Sequence, residues 1–134
     1  LLKKCSLNTD RRDSMIEITR EVRKFIREQR VERGAVVIYC PHTTAGITIN
    51  ENADPDVKQD LIRRYDELYP WTNSADLHEE GNTAAHLKAV AVGSSQYVII
   101  EQGDLLLGVW QGIYFCEWDG PRTRNYYIKI LKEE

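Results

Sequence analysis

The last third of the chain is a succession of short apolar runs cut by glycine-containing turns, and this pattern constrains the fold more than any other. Tyr97–Glu101, Leu105–Trp110, Ile113–Trp118 and Asn125–Leu131 are rich in Val, Ile, Leu and aromatic residues, which suit a pleated, half-buried surface. Gln102-Gly103-Asp104, Gln111-Gly112 and Asp119-Gly120-Pro121 separate them, so the pattern predicts four strands joined by turns. Strands in such close succession pair antiparallel, because a parallel neighbour needs a long crossover.

The first two thirds are mixed. Residues 2–8 read as a strand. Ser14-Met15-Ile16-Glu17 has the form of a capping box, yet Ile16 and Ile18 also alternate with Glu17 and Thr19 as a short strand would. We take the strand, ending at a Thr19 N-cap. Val22, Phe25 and Ile26 then mark the buried face of a helix to about Arg30. Gly34 opens the run 35–40, whose near-continuous hydrophobicity predicts burial on both faces. Pro41 has no N–H to give a ladder, so pairing should break before His42.

Gly46–Glu51 alternates as a half-buried strand. Asp54-Pro55 has the form of a helix start, a capping carboxylate followed by proline at the first helical position. Val57, Leu61, Tyr65 and Leu68 continue that helix, and Pro70-Trp71 ends it. Residues 70–81 read as a loop. Asn82 caps a helix over 83–92 with Leu87, Val90 and Ala91 as its apolar face, and Gly93 stops it. The whole predicts one α+β domain over residues 1–134 with a mainly antiparallel sheet.

With 134 residues the chain can bury a core without disulfides or a structural metal. A net charge of −3 gives no basic footprint for nucleic acid. The cluster Arg20, Arg23, Lys24, Arg27, Arg30 and Arg33 is mixed with glutamates and reads as a solvated helix face. No apolar run approaches a membrane span, and Leu1-Leu2-Lys3-Lys4 has no signal-like apolar segment. Cys5, Cys40 and Cys116 are far apart and form no CxxC. Free thiols in a reducing cytoplasm are the expectation.

Polar residues gather in two places. One is His42-Thr43-Thr44-Ala45 through Asn50-Glu51-Asn52-Ala53-Asp54-Pro55-Asp56, and the other is His78-Glu79-Glu80-Gly81-Asn82 through His86. All three histidines lie in these clusters, so pH-tunable chemistry is confined there. Asp56 and Asp60 are one helical turn apart and repel unless a cation or solvent intervenes. A Mg²⁺ ion bridging such carboxylates and a phosphate would use that pair, while helix capping and solvation explain it equally well. His86 follows Asn82 by one turn, which would aim both into one pocket. No tight metal-ligand spacing is present, and there is no GxSxG for a serine nucleophile. Trp110, between Gly108 and Gly112, offers a ring for stacking, and Arg122 offers a phosphate contact.

On these motifs, together with Gly108-Val109-Trp110-Gln111-Gly112 and Glu117 before Asp119-Gly120-Pro121-Arg122, the chain resembles the YjbQ family, also called secondary thiamine-phosphate synthases. The resemblance covers essentially the whole chain. It implies a two-sheet β-sandwich with helices packed on it, a strand before Thr19, and assembly as a homotrimer. It also implies coupling of hydroxymethyl-pyrimidine diphosphate to thiazole phosphate with release of pyrophosphate. His42, Asp54, Glu80 and His86 are then the candidate catalytic residues. Thr44, Asn50, Glu51, Asn82, Lys88, Trp110, Gln111, Glu117 and Arg122 are the candidate substrate contacts. His42, His78, His86 and Asp56 are the candidate ligands of a divalent metal, Mg²⁺ or Zn²⁺. The alternative is a trimeric binding protein for a phosphorylated metabolite or a divalent metal, without turnover. The strand end 40–46, the helix start 54–60 and residues 78–86 are expected to converge on one acidic, histidine-containing pocket, because all three carry polar residues that packing does not need.

Overall fold

The computed structural model describes residues 1–134. Eight strands and three helices follow in the order β1 (Leu2–Asn8), β2 (Ser14–Glu17), α1 (Thr19–Glu28), β3 (Gly34–Tyr39), β4 (Ala45–Glu51), α2 (Pro55–Leu68), α3 (Thr83–Val92), β5 (Ser95–Glu101), β6 (Asp104–Leu105), β7 (Gln111–Glu117) and β8 (Thr123–Lys132). They form a five-stranded sheet, β1-β8-β3-β5-β6, and a three-stranded sheet, β2-β7-β4. Every pairing is antiparallel. The antiparallel α+β reading of the residues and the two-sheet arrangement implied by the resemblance are both observed.

The main core lies between the sheets. Val36 and Ile38 of β3, Val98 and Ile100 of β5 and Tyr126, Ile128 and Ile130 of β8 face Ile47 of β4 and Ile113 and Phe115 of β7. Val22, Phe25 and Ile26 of α1 close one side. A second, smaller core sits on the other face of the three-stranded sheet, where Met15, Tyr114, Cys116 and Trp118 meet Ala85 and Ala89 of α3. Strand alternation makes both possible, since successive residues of β7 serve opposite faces.

Four local expectations need correction. The run 35–40 is buried on one face only; Ala35 and Val37 are partly open and Tyr39 is exposed, because no other element of the chain covers the outer face of the larger sheet. Thr19 is the first residue of α1 rather than its cap, which is Ile18; the Thr19 hydroxyl accepts the Ile113 N–H at 2.8 Å and donates to Glu17. The strand expected over 105–110 ends at Leu105. Its continuation leaves the sheet to reach the other one, turning at Gly108–Gln111 where the Gln111 N–H donates to the Gly108 carbonyl, so Gln111-Gly112 begins β7 instead of forming the turn.

The fourth concerns α3. Its buried residues are Ala84, Ala85, Lys88 and Ala89, whereas Leu87 and Val90 point outward and Val90 is 82% exposed. Small side chains allow α3 to lie close on β4. A Cβ on Gly46 would come within 2.5 Å of the Gly93 carbonyl, and that carbonyl accepts the Ile47 N–H.

Candidate functional site

Three segments meet at the Ala45 end of β4. The β3–β4 connection brings His42 and Thr43, α3 brings His86, Ala89 and Val90, and the α3–β5 connection brings Gly93 and Ser94. Together with Ala45 they line an open cleft of about 430 Å³. The Cys40 N–H donates to the Ser94 carbonyl at 2.8 Å, which ties the two connections together. His42 and His86 therefore share one cavity.

His42 is fixed by β8. Its Nε2 lies 3.0 Å from the Asn125 nitrogen and 3.1 Å from the Asn125 carbonyl oxygen. Nε2 can accept from the Asn125 N–H or, when protonated, donate to the Asn125 carbonyl, so β8 holds the ring in either tautomer. Burial, and then the nearby Arg124 cation, push the His42 pKa below its ordinary 6.5. Because folding lowers this pKa, the stability His42 contributes is complete above about pH 6.5 and is lost as pH falls through the folded value. A histidine titration followed by NMR is expected to place the His42 midpoint below 6.5; a midpoint above it would mean that burial and Arg124 do not dominate the surroundings of the ring.

Behind the cleft lies a buried ion pair. Glu117 is fully buried, Arg124 nearly so. Arg124 Nε donates to Glu117 Oε1 at 2.8 Å, and its Nη2 donates to Glu117 Oε2 and, at 2.8 Å, to the Thr44 hydroxyl. Burial alone would raise the Glu117 carboxyl, but donors from Arg124, the Asp119 N–H and Thr9 outweigh it and hold it below the usual range. Beside the cleft runs a second chain of polar contacts. The Thr83 hydroxyl lies 3.0 Å from His78 Nδ1, and His78 Nε2 lies 2.6 Å from the Asn82 side-chain oxygen. The Asn82 amide donates to Asp119, which also receives Arg122. Asn82 is the N-cap residue of α3, yet its side chain caps nothing. The His78 and His86 rings stand edge to face with centroids 5.6 Å apart.

The other sequence candidates lie elsewhere or are already committed. Glu117, paired with Arg124, and Lys88, fully buried between Asp13 and Asp66, present no polar atom to a substrate. Thr44 is buried against Arg124. Glu80 is exposed, 3.4 Å from the Asn82 amide. Asn50, Glu51, Trp110 and Gln111 sit at the far end of the β4–β7 ladder, where Glu51 pairs with Gln111 while Ala45 pairs with Glu117. Seven extended residues put about 20 Å between those ends. Asp54 and Asp56 follow at that far end, and Asp54 caps α2 by accepting the Asp56 N–H at 2.9 Å.

The helix start at 54–60 thus does not join the other two segments within the chain. Nor do the residues form the metal site expected from the sequence. No three His, Cys, Asp or Glu side chains converge closely enough to hold an ion, His78 has both ring nitrogens engaged, and Asp56 is remote. Ser94 lines the cleft beside Thr43 without having been singled out, since only the pairing of β3 with β5 brings 42 and 94 together.

The fold and the cleft define a class of small two-sheet α+β proteins with a histidine-lined pocket at one end of the smaller sheet. The chain belongs to the UPF0047 protein YjbQ-like family, whose model matches residues 3–133. It is 63% identical over 131 residues to UPF0047 protein YugU of Bacillus subtilis, covering 98% of this chain and 99% of the relative. It is 49% identical to a UPF0047 protein of Methanocaldococcus jannaschii, covering 100% and 96%. The crystal structure of an uncharacterized YjbQ/UPF0047 family protein from Clostridium acetobutylicum superposes with a TM-score of 0.94 at 52% identity, covering 96% of this chain and 99% of that one. No helix is long and apolar enough to cross a membrane.

Proposed function

We propose that the chain is a small cytoplasmic enzyme acting on a phosphorylated metabolite in the His42–His86 cleft, with a thiamine-phosphate-synthase-like transfer as its reaction. The observation that carries this reading is that two histidines from separate elements line one open cavity backed by a buried ion pair, a polar arrangement that packing does not require. In the transfer, the carbon–oxygen bond to the diphosphate breaks, a bond to the thiazole nitrogen forms and pyrophosphate leaves. Negative charge grows on the leaving group. Donors fixed beforehand stabilise such charge, and the cleft supplies the His42 ring N–H and the hydroxyls of Thr43 and Ser94. His86, held against His78, is the group assigned to protonate the departing oxygen.

Purified protein incubated with the two thiamine precursors is expected to release pyrophosphate. His86→Ala should lower kcat/KM by about 10²- to 10⁴-fold, the usual worth of a positioned acid, while leaving the unfolding midpoint nearly unchanged. No release above the protein-free rate would remove the transfer reaction. Saturable binding of either phosphate ester without turnover would favour the binding-protein reading.

Assembly as a homotrimer belongs to the same proposal. On the outer face of the larger sheet Ile99, Ala35 and Leu131 align across three strands, as do Tyr97, Val37 and Lys129. Tyr97, Ile99 and Leu131 are each at least half exposed, and a contiguous apolar face of this kind supports self-association. Light scattering is expected to give three times the 15.5 kDa chain mass; a monomer mass at micromolar concentration would remove this part.

A further inference from the structure

The solvent side of α1 carries more positive charge than the chain neutralises. Arg20, Arg23, Lys24 and Arg27 recur at spacings of three and four and so share one helix face, while Val22, Phe25 and Ile26 turn into the core. Like charges at those spacings repel. The only ion pair this helix forms is Arg23 Nε with Asp104 Oδ1, at 2.9 Å. Arg20, Lys24 and Arg27 form none.

The same arginines border a cavity. Arg20, Arg23 and Arg27 line an open cleft of about 350 Å³ together with Glu17 and Thr19, where β2 passes into α1. No apolar side chain lines it. Thr19 is committed, since its hydroxyl donates to Glu17 Oε2 at 2.9 Å, and the Asn52 amide donates to the same oxygen at 3.0 Å. The donors left free in the cleft are therefore guanidinium N–H groups. Asp104 registers their field. The hydrogen bond from Arg23 first, and among smaller causes the charge of Arg27, hold its carboxyl below the ordinary range.

We propose that this cleft binds a chain of two or more linked phosphates, held by Arg20, Arg23 and Arg27. Guanidinium groups meet phosphate oxygens through paired, charge-assisted hydrogen bonds. Arg20 and Arg27 stand about 10 Å apart along the axis at about 1.5 Å per residue, a span that one phosphate does not bridge. At about 30 Å³ per water the cleft has room for roughly a dozen waters, enough for a diphosphate. With no aromatic or apolar wall there is no seat for a ring, so recognition is confined to the phosphates. Glu17 at the helix start repels the anion toward Arg23 and Arg27. The cleft lies toward the Gln111 end of β7, away from the two histidines, and does not rest on the enzymatic reading.

Inorganic pyrophosphate and orthophosphate test it in the ¹⁵N-labelled full chain. An ionic strength of about 0.1 M screens charges more than about 10 Å apart, so direct contacts dominate. The arginine Nε–H resonances of Arg20, Arg23 and Arg27 are assigned by replacing each in turn with glutamine. Pyrophosphate is expected to move all three saturably, with a Kd at least about tenfold below that of orthophosphate. Arg20→Gln combined with Arg27→Gln, both exposed, should weaken pyrophosphate more than about tenfold while the unfolding midpoint holds. His86→Ala should leave the arginine shifts as they are. Adenosine diphosphate separates two sources of the same group: affinity equal to pyrophosphate assigns a nucleotide tail, and weaker affinity assigns the free anion. Equal affinity for pyrophosphate and orthophosphate, or binding undiminished in the double variant, would overturn the proposal and return the arginines to a solvated face.

Discussion

Arg124→Ala is expected to lower stability by about 3–5 kcal/mol, because it leaves the Glu117 carboxylate buried without its counter-charge. Glu117 has no exposed surface and takes donors from both arms of the guanidinium. Urea unfolding would show a lower midpoint at unchanged m. The pH dependence separates this cause from lost packing. In the native chain Glu117 is held below its usual range, so its contribution is present above the unfolded pKa and disappears as acid protonates it. Without Arg124, burial dominates and raises that carboxyl. The variant should therefore regain ground on the parent as pH falls from 7 toward 4.5, within the ordinary carboxylate range. A deficit that stays constant with pH would assign the loss to packing.

Lys88→Met should cost about 2–3 kcal/mol, less than a fully buried pair because Asp66 is half exposed and Arg12 still reaches both carboxylates. Methionine keeps the length of the stem, so the loss isolates the charge at 3.1 Å from Asp66 and 3.4 Å from Asp13. Adding Asp13→Asn should restore part of it. No loss in Lys88→Met would mean that Arg12 alone neutralises the two acids.

These two positions also show how far the sequence speaks for the structure. Most of the strands followed from alternation, though not the open outer face of 35–40 or the short β6, and the Asp54-Pro55 helix start followed from capping chemistry, because both signals are written within a few residues. Lys88 read as a substrate contact because its partners, 75 and 22 residues away, are invisible locally. The same blindness turned Leu87 and Val90 inward, since larger apolar residues on a helix usually face the core. Here the close approach of α3 to Gly46 reserves that side for alanines. The pairing of His42 with His86 was legible as shared polar company. The remoteness of Asp54 and Asp56 was not, because a polar segment does not announce the extended strand that carries it away.

α2 carries fourteen residues and contributes no fully buried side chain. Its ties are the partial burial of Leu61, Ile62 and Tyr65 and the Asp66 contacts with Arg12 and Lys88. Little free energy is therefore spent in lifting it, while the sheet below keeps its ladders. Native-state hydrogen exchange divides a protein into units that open at different cost, and α2 belongs to the cheapest here. Its amides should trade with solvent well before those of β7, making this helix the part of the chain that breathes on its own.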